Sequence, residues 1–139
     1  MFKANASMKV RKVGTEVAII DIFGEVNSFA ENALIDAYTQ AAGGGAQAIL
    51  LNFSHLEYMN SSGIGLLVTL LIRTQRQRQR LLAYGLDEHY RQIFELTRLS
   101  EAIQIYPSEG KALEDAVSAS QGKSSGPVGP LASGAAASR

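Results

Sequence analysis

The sequence predicts an α/β domain: a mixed sheet of about five strands carrying about four helices. Short apolar runs of strand length alternate with segments whose apolar residues recur at helical spacing. The run Gln47–Phe53 is nearly continuous in apolar residues, as in a strand buried on both faces. The first two runs are separated only by a turn, which reads as an antiparallel hairpin.

The elements follow in order. Met8–Val13 alternates and reads as a strand, and Val13-Gly-Thr-Glu16 reads as the hairpin turn. Val17–Phe23 is a second, mostly buried strand. Ser28-Phe-Ala-Glu31 matches a capping box, in which Ser28 and Glu31 satisfy free N–H groups at a helix start. Ala33, Leu34, Ala37, Tyr38 and Ala41 then keep helical spacing, and Gly43-Gly-Gly45 stops that helix. The buried strand ends at Phe53, a short loop follows, and a helix runs from about Ser62 to Gln77. Its first half is apolar almost all round, so deep packing is expected. Leu81–Tyr84 is another buried strand. Asp87 caps a helix with Tyr90, Ile93, Phe94 and Thr97 on its inner face. Ile103–Ile105 is a short strand. Pro107-Ser108 opens a last helix with Ala112, Leu113, Ala116 and Val117 facing in. The order β-β-α-β-α-β-α-β-α implies parallel pairings with right-handed crossovers after the hairpin.

The chain of 139 residues suits one domain, and a composition of 46% hydrophobic and 19% charged residues supports a real core. Residues 1–119 are assigned to it. Residues 120–139 are rich in Gly, Ser, Ala and Pro and are expected to form a flexible tail. Thirteen basic residues balance thirteen acidic ones, so no global field favours nucleic acid or an acidic membrane. There are no cysteines, and His55 and His89 are the only histidines. Disulfides and thiolate sites are excluded, little remains for zinc, and no metal or cofactor is expected. The longest apolar run, Ile64–Ile72, is too short to span a bilayer. The N-terminus lacks the apolar stretch of a signal peptide, which points to the cytoplasm.

The informative segment is Asn60-Ser61-Ser62-Gly63-Ile64-Gly65. It follows a buried strand and opens an apolar helix. Sites in open α/β sheets form at the carboxyl ends of strands. A helix N-terminus adds unpaired N–H groups and the positive end of a dipole, which tolerate a phosphoserine. Gly63 and Gly65 remove side chains, so a second protein could approach the backbone. The plainer reading is that Asn60 or Ser61 is an N-cap and the glycines serve packing.

This segment resembles the signature of the anti-sigma factor antagonists, the small STAS-domain proteins: a buried strand, a spacer, then Asp-Ser-Ser-Gly before a long apolar helix. The similarity runs from about Met8 to Val117 and includes Phe23-Gly-Glu-Val26 and Leu81 to Gly85. It implies a STAS-like sheet and a partner that is an anti-sigma factor with serine kinase activity. It also implies phosphorylation of the first serine of the pair, here Ser61, with Ser62 the alternative acceptor. The partner-binding residues it implies are Asn27, Asn60, Ser61, Ser62, Gly63 and Gly65. Asn60 and Asn27 stand where that family usually has Asp. Self-association as a homodimer is left open.

Rival readings are weaker. A serine hydrolase would use Ser61 with His55 or His89 as base, but the Gly-x-Ser-x-Gly elbow is absent. No phosphate loop is present either. Arg73, Arg76, Arg78 and Arg80 alternate with glutamines at the end of the long helix, without aromatic residues for base stacking. A STAS adaptor that is never phosphorylated, part of a signalling or transport complex, is the alternative to the switch.

Overall fold

The computed structural model describes residues 6–123. Strands β1 (Ser7–Val13), β2 (Val17–Val26), β3 (Ala48–Met59), β4 (Arg80–Tyr84) and β5 (Gln104–Tyr106) form one sheet in the order β1-β2-β3-β4-β5. β1 pairs antiparallel with β2, and the remaining pairs are parallel. Helices α1 (Glu31–Ala42), α2 (Ser61–Arg76), α3 (Glu88–Leu96) and α4 (Glu109–Lys123) alternate with the strands as the sequence predicts. α4 runs past the expected domain boundary at residue 119. The remainder of the expected tail lies outside the described residues.

The layering follows from handedness. From β2 to β5 the chain always steps the same way across the sheet. Right-handed crossovers then place α1, α2 and α3 on one face. Alternate side chains of each strand point to opposite faces. Ala18, Ile20, Ile22, Ile49, Leu51, Leu81 and Ala83 meet the buried residues of those three helices. The opposite set, Val17, Ile19, Ala48, Leu50, Leu82 and Tyr84, meets Ala112 and Ala116 of α4. β3 is therefore covered on both faces, which explains its apolar run.

Several boundaries differ from expectation. β3 does not end at Phe53. Residues 54–59 continue the strand, pairing Phe23 with His55, Gly24 with Leu56, Glu25 with Tyr58 and Val26 with Met59 across two register shifts. Ser54, His55, Glu57 and Tyr58 are exposed there, so the extension lacks the apolar pattern that marks a buried strand. The Ser28 capping box is not formed. Asn27 caps a 3-10 turn at Ser28–Ala30 through its own side chain, and α1 begins only at Glu31. α2 is buried along one face alone, at Gly63, Leu67, Leu70 and Thr74. Thr97 is exposed because it is the C-cap of α3, and Val117 lies on the outer side of α4. Of the four arginines, only Arg73 and Arg76 lie on α2. Arg78 follows it with φ 58°, and Arg80 belongs to β4, paired with Asp115 at 3.2 Å.

A polar network clamps α4 to the sheet. Arg11 of β1 donates to both carboxylate oxygens of Asp21 at 2.7 and 2.8 Å, and to Glu109 at 2.9 Å. The Tyr84 hydroxyl donates to Glu109 at 2.6 Å, and the Asn52 amide donates to Asp21 at 2.7 Å. Glu109 is the first residue of α4, where the dipole also favours an anion. The Arg11 guanidinium holds both carboxyl groups below the usual carboxylate range. Burial, then Glu109, pushes the Tyr84 hydroxyl up.

Depressed carboxyl values mean that the stabilisation is complete above the unfolded values, roughly pH 4, and is lost as pH falls through the folded values. Arg11→Met is expected to destabilise the domain by about 1–3 kcal/mol at neutral pH, because Asp21 is left without its cation. Urea denaturation followed from pH 7 to pH 2.5 checks this: the variant should lose less stability than wild type on acidification.

Candidate functional site

The site lies where β2 and β3 end side by side. Val26 pairs with Met59, and the Asn60 N–H donates to the Val26 carbonyl at 3.3 Å. Asn27 and Asn60 therefore leave the sheet as neighbours, and each caps a helical turn. Asn27 Oδ1 accepts from Phe29 N–H at 2.9 Å, and Asn60 Oδ1 accepts from Gly63 N–H at 3.0 Å. The cap of α2 is thus Asn60, not Ser61. Ser61 and Ser62 are exposed, and neither hydroxyl hydrogen-bonds a described residue.

The two serines face different ways. At 100° per residue, Ser61 aligns with Gly65, Val68 and Ile72, opposite the buried face. Ser62 aligns with Leu66, Thr69 and Arg73, which line a narrow groove against Leu34, Ile35 and Tyr38 of α1. Ser61 heads the outward ridge of α2, and Ser62 stands over the seam between the helices.

The two glycines also differ. A Cβ on Gly63 would collide with the Val26 carbonyl oxygen and lie 2.6 Å from Met59 Cγ. Gly63 is buried and lets α2 start hard against β2, so it does not open the backbone to a partner as the sequence suggested. A Cβ on Gly65 would meet nothing within 4 Å. The floor beneath Ser61 is held further by Tyr90 of α3, whose buried hydroxyl accepts from Met59 N–H at 2.9 Å. Sequence periodicity placed Tyr90 in the core and gave no signal of this bond.

The histidines sit elsewhere. His55 stacks on Phe23 with centroids 4.7 Å apart, and His89 meets the ring of Tyr90 edge-on in the first turn of α3. Neither is hydrogen-bonded to Ser61. Phe29 and Tyr58, 56% and 53% exposed, are large side chains on the segments that end in or follow the two asparagines, and the sequence reading passed over both. Among the described residues, no helix is long and apolar enough to cross a membrane.

An antiparallel hairpin leading into parallel strands, with a serine pair on the helix after β3, defines the class. The chain belongs to the STAS domain family, whose model matches residues 8–112. The anti-sigma-B factor antagonist of Listeria monocytogenes is 23% identical over 107 residues, covering 77% of this chain and 94% of that protein. The solved structure of the anti-sigma factor antagonist SpoIIAA in its unphosphorylated form matches with a TM-score of 0.60 at 22% identity, covering 81% of this chain and 98% of that one. A sulfate transporter family protein from Wolinella succinogenes matches with a TM-score of 0.69 at 15% identity, covering 80% and 93%. Likeness at these identities establishes the fold.

The glycines provide a direct check of the geometry. Gly63→Ala is expected to cost about 2–3 kcal/mol, because the clash is with backbone that cannot move aside easily. Gly65→Ala should stabilise by up to about 1 kcal/mol, since alanine is the better helix former and the space is open. Chemical denaturation of the two variants should move the midpoint in opposite directions.

Proposed function

We propose that this chain is an anti-sigma factor antagonist: a binding switch that captures an anti-sigma factor with serine kinase activity and is released by phosphorylation of Ser61. The observation that carries this reading is the placement of Ser61. It is exposed on the first turn of α2, its hydroxyl is unused by the fold, and Asn60 already supplies the cap. Ser61 can therefore be modified without dismantling the helix start. The name of the Listeria relative and the description of SpoIIAA as an antagonist in an unphosphorylated form support the same reading.

The energetics favour a switch in binding over a switch in folding. A phosphate brings roughly −1.5 to −2 charges. At a helix N-terminus the dipole offsets part of this by about 0.3–1 kcal/mol. Across an interface, one like-charge contact at about 4 Å costs on the order of 4 kcal/mol at an effective dielectric of 20. A hundredfold loss of affinity needs only about 2.7 kcal/mol. The phosphate's bulk adds a clash wherever the partner closes over Ser61.

The test is incubation of the chain with the anti-sigma factor encoded in the same genome and ATP, with mass spectrometry and binding measured before and after. Phosphate is expected on Ser61, with affinity falling about a hundredfold and the melting temperature nearly unchanged. Ser61→Asp should reproduce part of the loss, and Ser61→Ala should bind constitutively. Phosphate on Ser62, or equal affinity of the two forms, would reject the switch. A partner that binds and leaves no phosphate would favour the adaptor reading.

Asn27 and Asn60 set the polarity of this surface. Each spends its Oδ1 on a cap, so the side-chain NH2 is what remains for a partner. Asp caps about as well as Asn and would leave a carboxylate oxygen instead. Asn60→Asp is therefore expected to alter phosphorylation rate or partner affinity severalfold while shifting stability by less than about 0.5 kcal/mol. Paired kinase and thermal-melt measurements on the one variant decide it.

A further inference from the structure

We infer that Tyr90 of α3 is a positioning residue for phosphoryl transfer to Ser61: its hydroxyl holds the end of β3, and through it the acceptor serine, in one place. This inference rests on the switch proposed above and deepens it, by naming a residue far from Ser61 in the chain that fixes where the acceptor stands.

β3 overhangs the sheet. β4 ends at Tyr84, paired with Asn52, while β3 runs on to Met59. Residues 54–59 therefore have β2 on one side and, among the described residues, no strand on the other. The overhang spans about 16 Å from Ser54 to Met59. A ribbon of two strands is marginal without further support, and two register shifts interrupt the pairing of this one. Ser61 follows two residues after its end, so any play in the ribbon reaches the acceptor hydroxyl.

The entry to α3 takes the place of the missing strand, and it braces the overhang at both ends. At the near end Gly85, with φ 82°, lies so close that a Cβ there would fall 2.6 Å from the Ser54 nitrogen. At the far end the Tyr90 hydroxyl accepts from Met59 N–H at 2.9 Å in a buried bond. Tyr90 is itself fixed. Its N–H donates to the Asp87 cap at 3.0 Å, and its ring is packed in the larger apolar cluster. Apolar packing alone would be served by phenylalanine. The hydroxyl satisfies an N–H that a longer β4 would have satisfied. Without it that N–H is left buried and unpaired, and the strand end must shift or open to water. Met59 cannot shift alone. It is buried, it pairs with Val26, and its Cγ would lie 2.6 Å from a Cβ on Gly63. A displacement there carries Asn60, the cap of α2, and Ser61 with it.

In the transfer the Ser61 oxygen attacks the γ-phosphorus of ATP, the bond to the ADP oxygen breaks, and the hydroxyl proton passes to a base on the kinase. Catalysis of this step is mostly positioning, and a misplacement of about 1 Å costs on the order of a hundredfold in rate. Binding is spread over a whole interface and is far less sensitive to one atom's position. A positioning role is therefore read as a loss of kcat at unchanged KM.

Steady-state phosphorylation of the full chain by the anti-sigma factor from the same genome, with ATP, tests this in Tyr90→Phe. The kcat is expected to fall about tenfold, with KM within about twofold of wild type. Hydrogen exchange read by NMR should show the Met59 N–H protected in wild type and exchanging about tenfold faster or more in the variant, at a temperature where both are folded. Phe94→Leu, in the core on the same helix, is the control for general loosening. It should lower the melting temperature at least as far and leave kcat unchanged. An unchanged kcat in Tyr90→Phe, a rise in KM alone, or an equal loss of kcat in Phe94→Leu would overturn the role of Tyr90 and leave the switch intact. An unprotected Met59 N–H in wild type would overturn it without any variant. If the wild-type chain takes no phosphate on Ser61, the switch fails and the positioning role falls with it.

Discussion

The backbone of α2 at Gly63 lies against the carbonyl group of Val26, and the arrangement of the candidate site depends on that contact. Only a residue without a Cβ allows it. Because α2 starts so close to β2, Asn60 can donate its N–H to Val26 while its side chain caps Gly63. Met59 is then trapped beneath the helix, and Tyr90 reaches its N–H from α3. Ser61 stands at the first position that all this packing leaves unused. Its exposure is a consequence of a rigid floor and not of a loose loop.

The two faces of the sheet are held by different physics. One is closed by three helices over a large apolar cluster. The other has a single helix, which among the described residues sets Ala112, Ala116 and the partly buried Leu113 on a smaller cluster. This apolar contact is small, and the ion-pair and hydrogen-bond network of Arg11, Asp21, Asn52, Tyr84 and Glu109, with the Arg80–Asp115 pair, adds directional contacts that position α4. Partly buried ion pairs of this kind contribute modest net stability, but they define one docking geometry. Arg11 joins the edge strand, the sheet interior and the last helix in a single group of contacts.

The four side chains at the candidate site, Asn27, Asn60, Ser61 and Ser62, are neutral. Both asparagines cap with oxygen and offer nitrogen, and the serine hydroxyls carry no charge. A phosphate on Ser61 would therefore change the local field strongly, with little penalty at the helix N-terminus. The Ser61 hydroxyl and the contacts that stabilise this edge are separate.

The sequence by itself determined the element order, the buried strands and the position of the serine pair. Those features are written in local periodicity, in the continuous run of β3 and in the spacing of turn residues. It also predicted the cap at Asp87, since capping acts over three residues, and placed the start of the last helix at Pro107-Ser108. The choice between Asn60 and Ser61 as cap, and between Asn27 and Ser28, belonged to tertiary structure. Each depends on where the preceding strand ends, and those ends are set by pairing between β2 and β3, which are far apart in the chain. The same holds for the extension of β3 through His55 and Tyr58, whose polar side chains overhang the region that helices cover. Gly63 and Gly65 look alike in sequence. Only the packed structure separates them, because one Cβ direction points into Val26 and the other into solvent.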